Sequence, residues 1–196
     1  MAEDVPIAPV RVSDAMPRPV ALTGTPGTGK STVAERLGGA VRVVEVAELA
    51  RRHGSARGRG RAVEVDMAHL SRRLRRPGAL DGVDLIVGHL AHLLPVREAI
   101  VLRCHPLRLV ERLRGAHRGS ASDRHENFVC EATDVVLWEA IGTRRTVFEI
   151  DTTARDPDAV ARRVRRRLRA GGPSRVGTVD WLADPRVTAH LLGPVR

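Results

Sequence analysis

A chain that runs Pro19-Val20-Ala21-Leu22-Thr23 straight into Gly24-Thr25-Pro26-Gly27-Thr28-Gly29-Lys30-Ser31 has few folds open to it. The apolar run reads as a buried strand. The glycine-rich stretch matches G-x-x-x-x-G-K-[ST], a loop whose backbone N–H groups cradle phosphate at the mouth of a helix. Such a loop needs a strand before it and a helix after it, so it commits the chain to an α/β unit. Lys30 sharpens the point. It is the only lysine, because the other 32 of the 33 basic side chains are arginine. A slim ammonium fits along phosphate oxygens where a planar guanidinium is too wide. The one position that resists arginine is thus the one where phosphate chemistry forbids it.

The rest of the chain alternates short apolar runs with helical patterns. Strands are expected at 41–46, 84–87, 99–102 and 146–150, and helices at 30–37, 47–53, 63–76, 106–114, 126–141 and 157–170. The last carries Val160, Val164 and Leu168 on one face and arginines on the other. Strands alternating with helices predict a five-stranded parallel sheet covered on both faces. Residues 1–19 read as a flexible extension, 54–61 as a mobile basic loop, 115–123 as a polar loop, and 171–196 as a linker and tail. The fold class is therefore α/β, with one phosphate-loop domain over 20–170.

Composition bounds the partners. The net charge of +10 favours an acidic partner such as nucleotide or RNA, and a solvated arginine-rich surface is the alternative. With two Phe, two Trp and no Tyr, stacking platforms for single-stranded RNA are lacking, so any rRNA contact would be made to phosphate. Cys104 and Cys130 fit no metal spacing and read as reduced thiols of a cytoplasmic protein. No apolar run approaches the roughly 20 residues of a membrane span.

At the loop itself, the N–H groups of Gly27 to Ser31 and the helix dipole would hold phosphates, Lys30 would bridge the β- and γ-oxygens, and the Ser31 hydroxyl would ligate Mg²⁺. ATP and Mg²⁺ are the expected cofactors. His89 and His92 lack further ligands at zinc spacing.

Beyond the loop, Gly88-His89-Leu90-Ala91-His92 follows the third strand. Arg112 and Arg118 precede Glu126-Asn127, Asp151-Thr152-Thr153 closes the fifth strand, and Val179-Asp180-Trp181-Leu182 lies near the end. This constellation resembles the adenylate kinase isoenzyme 6 family in its archaeal form, from about Val20 to Leu182. The resemblance implies a core with an NMP-binding insertion near 47–70 and a lid near 114–124. It implies nucleoside-monophosphate kinase and ATPase activity. It also implies a part in small ribosomal subunit maturation, through a platform protein of the pre-ribosomal particle. Carried over by position, the ATP site is Gly27, Gly29, Lys30, Ser31 and Thr32. Arg118 closes on ATP, with Arg112 or Arg124 as further sources of positive charge, and His89 faces the γ-phosphate or the attacking water. Asp151 and Thr152 stand where adenine would lie.

Two departures from the family pattern stand out. The family has an acid two positions before His89, and here that position is Val87. Asp84 is about 10 Å back along the strand at 3.3 Å per residue, which leaves Asp66 or water to support Mg²⁺. The lid is one residue longer and lacks its usual lysine. Three activities stay open at this stage: an NMP kinase with AMP as acceptor, a ribosome-assembly ATPase, and another small-molecule kinase such as dephospho-CoA kinase.

Overall fold

The computed structural model describes residues 19–57 and 64–193. The expected extension, apart from Pro19, lies outside these residues, as do 58–61 of the basic loop, the next two residues, and 194–196 of the tail.

Five strands form one parallel sheet: β1 (Val20–Thr23), β2 (Val43–Glu45), β5 (Leu85–Val87), β6 (Glu98–Arg103) and β7 (Thr146–Asp151), in the order β2-β5-β1-β6-β7. A short antiparallel pair, β3 (Ala56–Arg57) with β4 (Glu64–Val65), stands apart. A basic loop is expected over 54–61 and a helix from 63. The chain instead folds back on itself, pairing Ala56 with Val65 and Arg57 with Glu64.

The strands of the main sheet read as unbroken apolar runs because both of their faces are covered. Alternation sorts their side chains into two cores. Ala21, Val44, Ile86, Ala99 and Val101 face α2 (Val46–Arg52), α3 (Met67–Leu74) and α6 (Val135–Gly142). Leu22, Leu85, Val87, Ile100 and Leu102 face α1 (Lys30–Leu37) and α7 (Pro157–Ala170). The arginine-free stripe of α7 does what its spacing predicted, with Val160, Val164 and Leu168 all buried. Arg167 departs from the pattern. It is buried, paired with Glu98, and bonded to the carbonyls of Gly172 (2.7 Å) and Pro173 (3.1 Å).

The helix expected over 126–141 is two helices, α5 (Ala121–Ala132) and α6, broken at Asp134. Asp134 takes a left-handed conformation (φ 59°) and pairs with Arg103. Aspartate tolerates that conformation better than most residues. The break also changes packing partners. Phe128 and Ala132 of α5 pack against Trp181 and Val187, whereas Val136, Leu137 and Ala140 of α6 pack on the sheet. Helical periodicity continues on both sides of Asp134, which is why the pattern concealed it.

The tail is folded onto the domain. Arg175 bonds to Val147 and Glu149 alongside β7, a turn spans Trp181–Ala183, and α8 (Pro185–Leu192) places Val187 in the core. Three helices, α5, α8 and α4 (Pro106–Gly115), thus enclose the third apolar cluster, to which Leu107 and Val110 of α4 contribute.

Candidate functional site

The carboxyl ends of β1, β2, β5 and β7 open onto a single cavity of about 1010 Å³. Ligands of open parallel sheets bind at this edge. Its floor is the loop from Pro26 to Thr32, and its walls include Glu45, His89, Arg112, Arg118, Thr152 and Arg155.

Gly27 (φ 95°) and Gly29 (φ 96°) hold the loop in a shape that L side chains rarely adopt. A Cβ on Gly29 would meet no atom within 4 Å, so the loop leaves open space where a phosphate would sit. The Nζ of Lys30 donates to the carbonyls of Gly24 (2.6 Å) and Thr25 (3.0 Å), which folds the side chain back over its own loop. Burial lowers the Lys30 pKa to about 8; Glu131 opposes that shift, and nearby Arg118 adds to it.

The loop is braced from behind. The Oγ1 of Thr25 donates to Glu131 Oε2 at 2.6 Å. The other oxygen of that carboxylate accepts from Arg103 Nε (2.8 Å), the backbone N–H of Cys104 (3.0 Å) and Trp181 Nε1 (3.2 Å). Arg103, 1% exposed, also bonds Glu149 (2.7 Å) and Asp134. Burial opposes the charge on Arg103, yet Glu131 and Asp134 hold its pKa above the ordinary arginine value. Glu131 thus ties together the phosphate loop, the end of β6 and the C-terminal segment.

The predicted site residues separate into those at the cavity and those near it. Gly27, Gly29, Lys30, Ser31, Thr32, His89, Arg118 and Thr152 line it. Thr152 is 4% exposed, with its Oγ1 3.0 Å from the Thr28 carbonyl and 2.8 Å from that of Arg103, so its side chain is a strut under the loop. Asp151 is not in the wall. Its Oδ1 accepts from the backbone N–H and the hydroxyl of Thr153, which closes a turn. Arg112 is held at the rim by the carbonyls of Thr152 (2.8 Å) and Thr153 (3.0 Å). Arg124 bonds the Gly119 carbonyl outside the cavity. Asp66 caps α3 by accepting from His69 N–H at 2.8 Å and does not line the cavity wall. Asp84 sits at the opposite end of its strand, accepting from Arg42 N–H at 2.9 Å.

The two histidines take different places. His89 opens onto the cavity, and partial enclosure together with Lys30 lowers its pKa, so the neutral ring prevails at neutral pH. His92 is fully buried, bonded to Thr23 Oγ1 (2.9 Å) and to Glu139 (3.2 Å), and ties the sheet to α6. Sequence reasoning missed Arg155 and Glu45 in the wall, and it missed the role of Glu131 behind the loop.

A loop of this shape between a strand and a helix, at the carboxyl edge of a parallel sheet, defines a P-loop nucleotide-binding protein. A family profile described as an AAA domain matches residues 20–134. A protein of Archaeoglobus fulgidus named "Putative adenylate kinase" is 40% identical over 171 residues, covering 84% of this chain and 92% of that one. A protein of the same name from Pyrococcus furiosus is 36% identical over 166 residues, covering 83% and 90%. The chain belongs to this family of archaeal adenylate-kinase-named P-loop proteins. Among solved structures, a gluconokinase from Sinorhizobium meliloti aligns at 20% identity over 78% of this chain and 92% of its own, with a TM-score of 0.48, too low to bear on the acceptor. No helix among the described residues is long and apolar enough to cross a membrane.

Proposed function

We propose that the protein transfers the γ-phosphoryl group of ATP to a nucleoside monophosphate, AMP first among them, and that it also hydrolyses ATP. The observation that carries this reading is the convergence in one cavity of the phosphate loop, Lys30 and His89 with Arg112, Arg118 and Arg155. Phosphoryl transfer asks little covalent work of a protein and much positioned positive charge, and this wall supplies it. The volume of about 1010 Å³ is at the upper end for small-molecule sites, which suits two nucleotides facing each other. The names of the archaeal relatives support the same acceptor class.

The residues fit ATP and Mg²⁺. The loop N–H groups and Lys30 would take the β- and γ-phosphates, and the Ser31 hydroxyl, a hard oxygen donor, would take Mg²⁺. Bound there, the cation would neutralise charge developing on the phosphate oxygens. Arg118 would draw the lid, near 114–124, over the transferring group. His89, neutral and open to the cavity, would accept a hydrogen bond from the acceptor hydroxyl or from water. We place this chemistry in the cytoplasm.

A second reading is a ribosome-assembly ATPase with little kinase activity, bound to a platform protein and rRNA of a pre-ribosomal particle. Two observations favour it. An apolar Val87 ends the strand from which an acid would help the metal. In addition, the chain carries a net charge of +10, nearly all of it arginine, which suits phosphate contacts. ADP formation from ATP and Mg²⁺, with and without AMP, separates the two readings. Strong dependence on AMP supports the kinase. Slow turnover indifferent to AMP supports the assembly ATPase.

A further inference from the structure

In P-loop proteins the cation beside the nucleotide is held by the loop hydroxyl and by an acid at the end of a neighbouring strand. Here that neighbouring strand, β5, ends in Val87, which is apolar and 4% exposed. The strand beyond it supplies what β5 lacks. Parallel pairing sets Glu45 of β2 in register with Val87. Residues in register across a parallel pair project from the same face of the sheet. Packing fixes which face this is. Val87 and Val43 belong to the core beneath α1, and Val44 belongs to the opposite core. Glu45, two residues after Val43, therefore stands on the α1 side, the side of Ser31.

Three further observations concern the Glu45 side chain. It lines the same cavity as Ser31 and His89. It occupies the N-cap position of α2, yet makes no capping bond, and no hydrogen bond or ion pair engages its carboxylate among the described residues. Its backbone is held close to the end of β5, because Val46 fills the space beside Gly88. A Cβ on Gly88 would come within 2.7 Å of Val46 Cγ2.

We infer that Glu45 is the acid that serves the nucleotide-bound divalent cation in this chain, in place of the side chain missing at position 87. The inference rests on the ATP reading above. One strand spacing puts its backbone about 4.8 Å farther from the loop than Val87. The length of the glutamate side chain recovers part of that distance, and Glu45 would reach the cation through a water. Mg²⁺ suits this arrangement, since it retains several waters and commonly takes only one or two carboxylates beside phosphate oxygens. No three His, Cys, Asp or Glu side chains among the described residues converge into an all-protein metal cage.

Calorimetric titration with ATP, in excess Mg²⁺ and again in EDTA, tests this without relying on turnover. Glu45→Gln should weaken ATP binding in Mg²⁺ by about tenfold and raise the Mg²⁺ concentration for half-maximal binding by a similar factor, with binding in EDTA within about twofold of wild type. Glu111→Gln, which alters an exposed acid outside the cavity wall, should leave both titrations unchanged. Adding Val87→Asp to Glu45→Gln should restore the Mg²⁺ dependence. If the double variant does not fold, the Glu45→Gln titrations alone decide. Unchanged binding in Mg²⁺, or an equal loss in Mg²⁺ and EDTA, would overturn the role of Glu45. Failure of the unaltered protein to bind ATP under either condition would instead overturn the ATP reading.

Discussion

Lys30 and Glu131 lie on opposite sides of one loop and meet opposite demands. In front, Lys30 faces the cavity with a charge that burial disfavours, its pKa lowered to about 8. Behind, Glu131 is 2% exposed and saturated with donors from Thr25, Arg103, Cys104 and Trp181. The front is held ready for a ligand, and the back is complete without one. The two are also coupled, because the Glu131 charge favours the ammonium that burial of Lys30 opposes. The difference shows that a phosphate loop need not owe its shape to its own glycines alone. A carboxylate 106 residues further along the chain fixes Thr25.

The largest expected effect breaks the front alone. Lys30→Ala should reduce ADP formation by about 10³-fold, the upper range for losing one transition-state donor, while thermal melting stays unchanged or rises as a buried charge is removed. Activity within about tenfold of wild type would end the phosphate role of Lys30. Breaking the back should act on the fold. Glu131→Ala leaves Arg103 buried with fewer partners and should cost roughly 3 kcal/mol in urea unfolding, as removal of one member of a buried ion pair does. A cost below about 1 kcal/mol, the range of exposed pairs, would show that the hub is not a brace.

Arg118→Ala should lower turnover by about 10²-fold and change ATP affinity far less, if its charge acts on the transferring group. Equal losses in both would reduce it to a binding residue. The smallest effect sharpens the comparison through pH. Phosphate binding calls for the Lys30 ammonium, whose folded pKa of about 8 lies below the ordinary lysine value of 10.5. ATP affinity should therefore fall as pH rises above about 8, by at most about tenfold per pH unit. The stability contribution has the opposite sign. The burial penalty is fully present below pH 8 and is relieved between about 8 and 10.5, where the unfolded chain binds more protons. An affinity flat from pH 7 to 10 would contradict the buried-lysine account.

The front of the loop was legible because its residues are contiguous and their chemistry is local. Val20 to Ser31 spell strand, loop and helix start in a dozen positions. Lys30–Leu37 and Pro157–Ala170 came out with the expected bounds because capping and apolar spacing agree there. What escaped depends on pairs far apart in sequence. The break at Asp134 answers to Arg103, the β3–β4 pairing to a chain reversal, and the fold of the tail to Phe128 and Glu131. Nothing within the expected strand 41–46 distinguishes Glu45, and only its register with Val87 brings it to the site. Asp151 failed as a wall residue for a similar reason, since a short turn back to Thr153 occupies its carboxylate.

The bond from Trp181 to Glu131 also gives the molecule an optical reporter. Of the two tryptophans, Trp138 is 65% exposed and open to collisional quenchers, whereas Trp181 is 8% exposed with its indole N–H on the carboxylate that holds Thr25. With no tyrosine in the chain, emission that survives iodide comes from Trp181. Any shift of the loop that reaches Glu131 is thereby written into the colour and lifetime of a single native fluorophore.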